Sequence, residues 1–222
     1  MSTSSSQWKT LLDLALPALD HVFPREERHI KVPHWTLGGG TAIAIQIKHR
    51  ISFDIDIFVS GTLLKAFTPA QNPGAQAISN DFEWPGHYIK FNRPEGEIDF
   101  LNSPLLTKPG FKSLEYKERT LALETLEEVI TKKLRYRAAS FKLRDVFDLA
   151  AVGKYQPGLA QVLAEEVPDV LDRAIEATEF RQSQGIEALA KVIIPGERTK
   201  DILPDAFIIA LDTLHRARDL SR

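Results

Sequence analysis

Two aspartates one residue apart, Asp54 and Asp56 in the stretch FDIDIF, have the clearest capacity for chemistry in this 222-residue chain. If residues 53–59 are extended, side chains alternate: Phe53, Ile55, Ile57 and Val59 take one face, and Asp54, Asp56 and Phe58 the other. Two carboxylates that close repel each other unless a cation stands between them, and hard oxygen donors favour Mg²⁺ or Mn²⁺. A third acid is available at Asp99 in GEIDFL, where Ile98 and Phe100 supply a buried face; Glu97, two residues earlier on the same face, is the alternative. A lone D-x-D pair on an exposed strand is ordinarily just solvated. The glycines upstream and the third acid downstream shift that balance.

Upstream, Gly38, Gly39 and Gly40 run into Thr41. Gly39, Gly40 and Thr41 offer close backbone approach, free N–H groups and a hydroxyl, which suits a polyphosphate at a helix start. No Gly-Lys-Ser/Thr follows and the G-x-G-x-x-G spacing is missing, so neither a Walker A loop nor a dinucleotide fingerprint is present. Residues 41–47, TAIAIQI, alternate like a strand, yet Ile43 and Ile47 are four apart and Thr41 can cap. The spacing and the glycine turn predict a helix. His49 and Arg50 are then either site residues or the polar end of that helix, where positive charge meets the C-terminal dipole.

A second cluster lies further on. Between Lys132 and Arg144 stand six bases (Lys132, Lys133, Arg135, Arg137, Lys142, Arg144) and no acid. Lys133 and Arg137 are four apart and share a helix face, suited to triphosphate oxygens or a backbone phosphate. Asp145 and Asp148, three apart, are also neighbours on a helix. The alternative is a solvated basic helix with ordinary ion pairs. Trp8, Trp35 and Trp84 read as packing anchors, and His21, His29, His34, His87 and His215 show no ligand spacing.

The elements that must position these residues change character near Thr120. Before it, short β-branched or aromatic runs at residues 35–37, 53–59, 87–91 and 97–101 predict strands, the last two joined through NRPEG as a hairpin. After it the pattern is helical: Thr125 and Glu128 stand at capping-box spacing ahead of a long 3.6-type period, and further helices are expected at 158–167, 168–182, 186–194 and 204–220. An α+β architecture follows, with a catalytic α/β domain at 1–118 and a helical domain at 119–222. A net charge of −2 excludes a globally basic nucleic-acid coat, and the lack of cysteine excludes disulfides and thiolate chemistry. The start, residues 1–9, is serine-rich without an apolar core, and no apolar run reaches membrane-spanning length; a soluble, cytoplasmic protein without a membrane partner is expected.

GGTAIAIQIKHRISFDIDIF resembles the active-site signature of the AbiEii/AbiGii-type nucleotidyltransferase toxins, a branch of the polymerase-beta-like nucleotidyltransferase superfamily. The agreement covers Gly39, Gly40, Thr41, Ala42, His49, Arg50, Ser52, Asp54, Asp56 and Phe58. The block around Lys133, Leu134, Arg137, Arg144, Asp145 and Asp148 is similar to that family's helical motif. Where the wider superfamily has Gly-Ser, this chain has Gly40-Thr41. The resemblance implies a polymerase-beta-like mixed sheet with flanking helices and transfer of NMP from NTP to an acceptor hydroxyl. In that scheme Asp54, Asp56 and Asp99 hold Mg²⁺ (or Mn²⁺), and Gly39, Gly40, Thr41, Arg50, Lys133 and Arg137 contact the nucleotide. Lys133 meets the charge of departing pyrophosphate, with Asp145 orienting it, Arg50 or the acceptor. It further implies a toxin with a cognate antitoxin and an RNA acceptor, tRNA above all. A small-molecule transferase, a protein-modifying transferase and a non-catalytic module of the same fold are the rivals.

Overall fold

The computed structural model describes residues 6–24, 33–59 and 63–222. Residues 1–5 of the serine-rich start and His29 lie outside the described residues. The chain divides into two compact units, each discontinuous: Met1–Thr41, Ser52–Pro104 and Phe111–Glu124 form the first, and Ala42–Ile51, Leu105–Gly110 and Thr125–Arg222 the second.

The first unit is built on a six-stranded mixed sheet. Its strands are β1 (Trp35–Gly38), β2 (Ile55–Val59), β3 (Tyr88–Arg93), β4 (Gly96–Asn102), β5 (Phe111–Tyr116) and β6 (Arg119–Glu124), in the order β3-β4-β2-β1-β6-β5. β2 runs parallel to β4 and β1 parallel to β6, and the other neighbours are antiparallel. Ile55, Ile57 and Val59 of β2 join Ile98 and Phe100 of β4 and Ile89 and Phe91 of β3 on one buried face. Each such side chain contributes about 1.5–3 kcal/mol by leaving water. α1 (Trp8–Val22) packs beside this sheet through Leu11, Leu12, Ala15, Leu16 and Leu19, a 3.6-type stripe that tolerates Pro17, and α3 (Pro73–Ile78) packs against α1.

The glycine run ends β1 and opens α2 (Gly39–Ile47), the expected helix, whose first turn belongs to the sheet unit and whose body belongs to the second. The alternation of TAIAIQI did not make a strand. The Thr41 hydroxyl donates to the carbonyl of Asp54, and Ala42 and Ile43 are fully buried.

The second unit is helical: the body of α2, α4 (Leu126–Arg137), α5 (Leu143–Tyr155), α6 (Leu159–Glu166), α7 (Leu171–Gln182), α8 (Ile186–Val192) and α9 (Ala206–Leu220). α9 packs against α5, α6 and α7 through Phe207, Ala210, Leu214 and Ala217. Half of the expected capping box at α4 forms: Thr125 Oγ1 accepts from the Glu128 N–H at 3.2 Å. The Glu128 carboxylate, fully buried, instead accepts from the N–H groups of Leu106 and Thr107 and from the Thr107 hydroxyl.

Four expectations need correction. The strand expected at 53–59 begins at Ile55, because the Asp54 carbonyl is taken by Thr41 rather than by a ladder. The hairpin β5–β6 stands where no strand was expected; its two-residue turn places Lys117 at φ 53° without the usual Gly or Asn signal. The long helix expected after Thr125 is two, α4 and α5, separated by a 3₁₀ turn at Ala138–Ser140. The compact units also differ from a single cut after residue 118: β6 lies beyond it yet pairs with β1, and residues 42–51 group with the helices.

Candidate active site

In the sheet unit strand register brings two of the three acids, Asp56 and Asp99, together, with Asp54 just before β2. β2 and β4 are parallel with Asp56 directly opposite Asp99, so two carboxylates share one rung of neighbouring strands. Asp54, just before β2, accepts the backbone N–H of Glu97 at its Oδ1, 3.2 Å away. Gly39, at φ 63°, lies against Asp56: a Cβ there would overlap the Asp56 carboxylate, so only glycine lets the α2 start approach this acid.

The electrostatics follow from that crowding. Burial, then the Asp56 carboxylate, push the Asp99 carboxyl up to about 8, with Glu97 and Asp54 adding and Lys90 opposing. Asp99 Oδ1 is buried without a hydrogen-bond partner. Lys90 of β3, opposite Asp99, bonds Glu97 Oε2 at 2.5 Å and lies 3.7 Å from Asp99 Oδ2. Burial works against the Lys90 charge, but Glu97, Asp99 and Glu83 outweigh it and hold the ammonium's pKa above the usual lysine value.

These groups could hold a divalent cation. A buried, unpartnered carboxylate oxygen and a carboxyl whose pKa burial, then neighbouring anions, push up are the two signs of a site lacking positive charge. Among the described residues no group of three or more His, Asp or Glu forms a ready-made cage. Mg²⁺ at nucleotide sites takes one or two carboxylates and completes its shell with phosphate oxygens and water, so an open arrangement is the appropriate one.

The second cluster lies within the helical unit. Asp148, fully buried, receives Arg50 in a fork (Nε to Oδ1 at 2.6 Å, Nη2 to Oδ2 at 3.0 Å), His49 Nε2 at 2.7 Å and Lys133 Nζ at 3.1 Å. Asp145 receives Lys133 at 2.6 Å and Arg137 at 2.8 Å on Oδ1, and its Oδ2 accepts the Lys142 backbone N–H at 3.1 Å. Burial alone would raise both carboxyls. Arg50, Lys133 and His49 overcome this at Asp148 and hold it well below the usual range; at Asp145, Lys133 and Arg137 outweigh burial and lower the carboxyl. Burial outweighs Asp148 at His49 and lowers its pKa, with Arg50 and Lys133 adding, so near neutral pH the ring is uncharged and donates from Nε2.

The acid-free sequence stretch is therefore not acid-free in space. Lys132 lies 3.4 Å from Glu128, Lys133 and Arg137 meet Asp145, and Arg135 Nη1 donates to both carboxylate oxygens of Asp169 at 2.9 Å. Lys142 and Arg144 stay exposed, with no side-chain ion pair among the described residues. The face shared by Lys133 and Arg137 exists as expected, turned to Asp145, which orients Lys133. Arg50 and His49 share one carboxylate rather than merely ending a helix. The Thr41 hydroxyl, expected to cradle phosphate, is buried on the Asp54 carbonyl. Of the residues at these sites, Lys90 carries no local sequence signal, and the spacing of Asp148 places it on a helix face without defining a role. A cavity of about 600 Å³ elsewhere in the sheet unit, lined by Asp13, Pro17, Asp20, Lys117 and Arg119, contains none of the three acids.

A mixed sheet that sets paired carboxylates beside a glycine-opened helix is the architecture of a nucleotidyltransferase fold. The chain aligns over its full length with 97% of a solved structure from H. pylori described as a candidate nucleotidyltransferase, at TM-score 0.50 and 15% identity, a likeness of fold alone. No curated protein matches the chain. Residues 25–208 match the family described as nucleotidyl transferase AbiEii toxin of type IV toxin–antitoxin systems, and the chain belongs to that family. Membership implies an antitoxin partner. Among the described residues no helix is long and apolar enough to cross a membrane.

Proposed function

We propose that the chain is a metal-dependent nucleotidyltransferase that transfers NMP from an NTP to a hydroxyl at the 3′ end of RNA, tRNA in particular, and acts as the toxin of its pair. The observation that carries the metal-dependent part is the register-matched Asp56 and Asp99 with the unpartnered Asp99 Oδ1. Asp54, Asp56 and Asp99 would hold Mg²⁺ or Mn²⁺, which supplies charge neutralisation at the triphosphate and acidifies the acceptor hydroxyl. The Gly40 and Thr41 N–H groups, at the start of α2, take phosphate oxygens, and Gly39 permits the close approach. The acceptor oxygen bonds to the α-phosphorus, the bond to pyrophosphate breaks, and the hydroxyl proton passes to solvent.

The RNA acceptor rests on family resemblance and on the exposed Lys142 and Arg144. A protein or small-molecule acceptor is the second reading, favoured by the four bases already bound to acids. Incubation with each labelled NTP, Mg²⁺ and total cell RNA or protein separates the two by where label appears. Asp56→Asn, which keeps shape but supplies a neutral and poorer ligand, should fold and abolish labelling. Unchanged labelling by that folded variant refutes the metal assignment.

A further inference from the structure

Two carboxylates, not one, flank the Asp54–Asp56 pair on β4. Asp99 faces Asp56 across the parallel rung, and the Glu97 backbone donates to Asp54 Oδ1, so Glu97 begins beside the first acid as Asp99 does beside the second. On strand pattern alone either could complete a metal site. Lys90 distinguishes them. It is paired with Asp99 in the β3–β4 register, yet its Nζ lies 2.5 Å from Glu97 Oε2 and 3.7 Å from Asp99 Oδ2, the second distance too long for a hydrogen bond. The lysine thus hydrogen-bonds the acid diagonal to it and leaves the one opposite with an unpartnered oxygen.

We propose that Lys90 selects the third metal ligand: by binding the Glu97 carboxylate it removes that acid from competition and reserves Asp99 for the divalent ion. The inference rests on the metal-site reading above and deepens it. A charge-assisted bond both neutralises Glu97 and fixes its direction, while strand pairing holds Lys90 and Asp99 at a set separation. Lys90 is a positioning residue: it acts on the ion only through which carboxylate it leaves available.

The test is Mn²⁺ titration of the full chain without nucleotide, followed by electron paramagnetic resonance, with thermal unfolding to confirm that each variant is folded. Asp99→Asn should weaken Mn²⁺ binding by about tenfold or more, within the range that ligand-shell changes produce. Adding Lys90→Met to Asp99→Asn should release Glu97 and recover about tenfold, and a further Glu97→Gln should cancel the recovery. Lys90→Thr, shorter and suited to a strand, serves if the methionine variant does not fold. A double variant that binds no tighter than Asp99→Asn overturns the proposal, as does a Glu97→Gln single variant that loses as much affinity as Asp99→Asn. If Asp56→Asn leaves Mn²⁺ binding of the parent unchanged, the metal reading itself falls and takes the role of Lys90 with it.

Discussion

A carboxyl pushed up to about 8 is a liability that only a bound cation converts into a use. For Asp99 the sign runs against the usual carboxylate: its folded pKa lies above its unfolded one, so the folded state holds a proton the unfolded state has lost. Stability from this group therefore falls as pH rises from about 4 to about 8 and stays low above that. Asp99→Asn keeps the shape and removes the charge, so the metal-free variant should melt a few degrees higher than the parent at pH 8, at about 2–4 °C per kcal/mol for a chain of this size. A lower melting temperature for the variant would mean that Asp99 is satisfied by protein groups alone. Replacing Lys133 should have the opposite effect on stability. The lysine is buried between Asp145 and Asp148, and Lys133→Ala strips both of a cation, which should cost about 3 kcal/mol or more in denaturant unfolding. The nucleotide role expected of Lys133 is thus tested by NTP titration on a variant shown to be folded, and equal NTP affinity in variant and parent would remove that role.

At the scale of elements, α4 and α5 are tied by a polar network that acid should loosen. Asp145 and Asp148 have folded pKa values below their unfolded ones, so their contribution is complete above about pH 4–5 and is lost as pH falls through the folded values. His49, also lowered, adds in the same direction from about pH 6.5 downward, because the unfolded chain takes up a proton that the buried ring refuses. In an Asp99→Asn background, where the opposing titration is gone, the melting temperature should fall from about pH 6.5 downward and keep falling below about pH 4 as the two carboxylates take up protons; a profile flat from pH 7 to below pH 4 contradicts the network. How far such elements can be read from sequence depends on what fixes them. The hairpin at 92–96 is legible from Pro and Gly, and its register follows from the turn length. A two-residue turn pairs Arg93 with Gly96 and so Lys90 with Asp99. The start of α2 was legible because a glycine with positive φ has a backbone reason to be there. The β5–β6 hairpin was not, since its turn is Lys117-Glu118 and its alternation includes exposed Lys112 and Ser113. The partners of the basic stretch were the least legible: Glu128 lies one turn away, but Asp169 is brought to Arg135 only by tertiary packing.

At the scale of the whole molecule, those pairings change what an RNA acceptor should look like in solution. Six unopposed bases on a chain of net charge −2 would bind RNA through six phosphates and give a steep salt dependence, with a logarithmic slope of about −4 to −5 for single strands. Four of the six are held by acids within the helical unit, which leaves Lys142 and Arg144 exposed. Two phosphate contacts predict a slope of about −1.5, and Lys142→Ala and Arg144→Ala should each remove about 0.7 from it. Affinity for tRNA measured by filter binding from low to moderate salt gives the slope directly. A value near the steeper figure would require the internal ion pairs to open on binding, and a slope of zero would point to a protein or small-molecule acceptor. The same reading sets the cellular outcome: expression without the antitoxin should arrest growth, and Asp54→Ala should relieve the arrest while the protein still accumulates. Arrest that survives a folded Asp54→Ala variant would separate toxicity from nucleotide transfer, because that substitution removes a carboxylate of the acid cluster and leaves Lys142 and Arg144 in place.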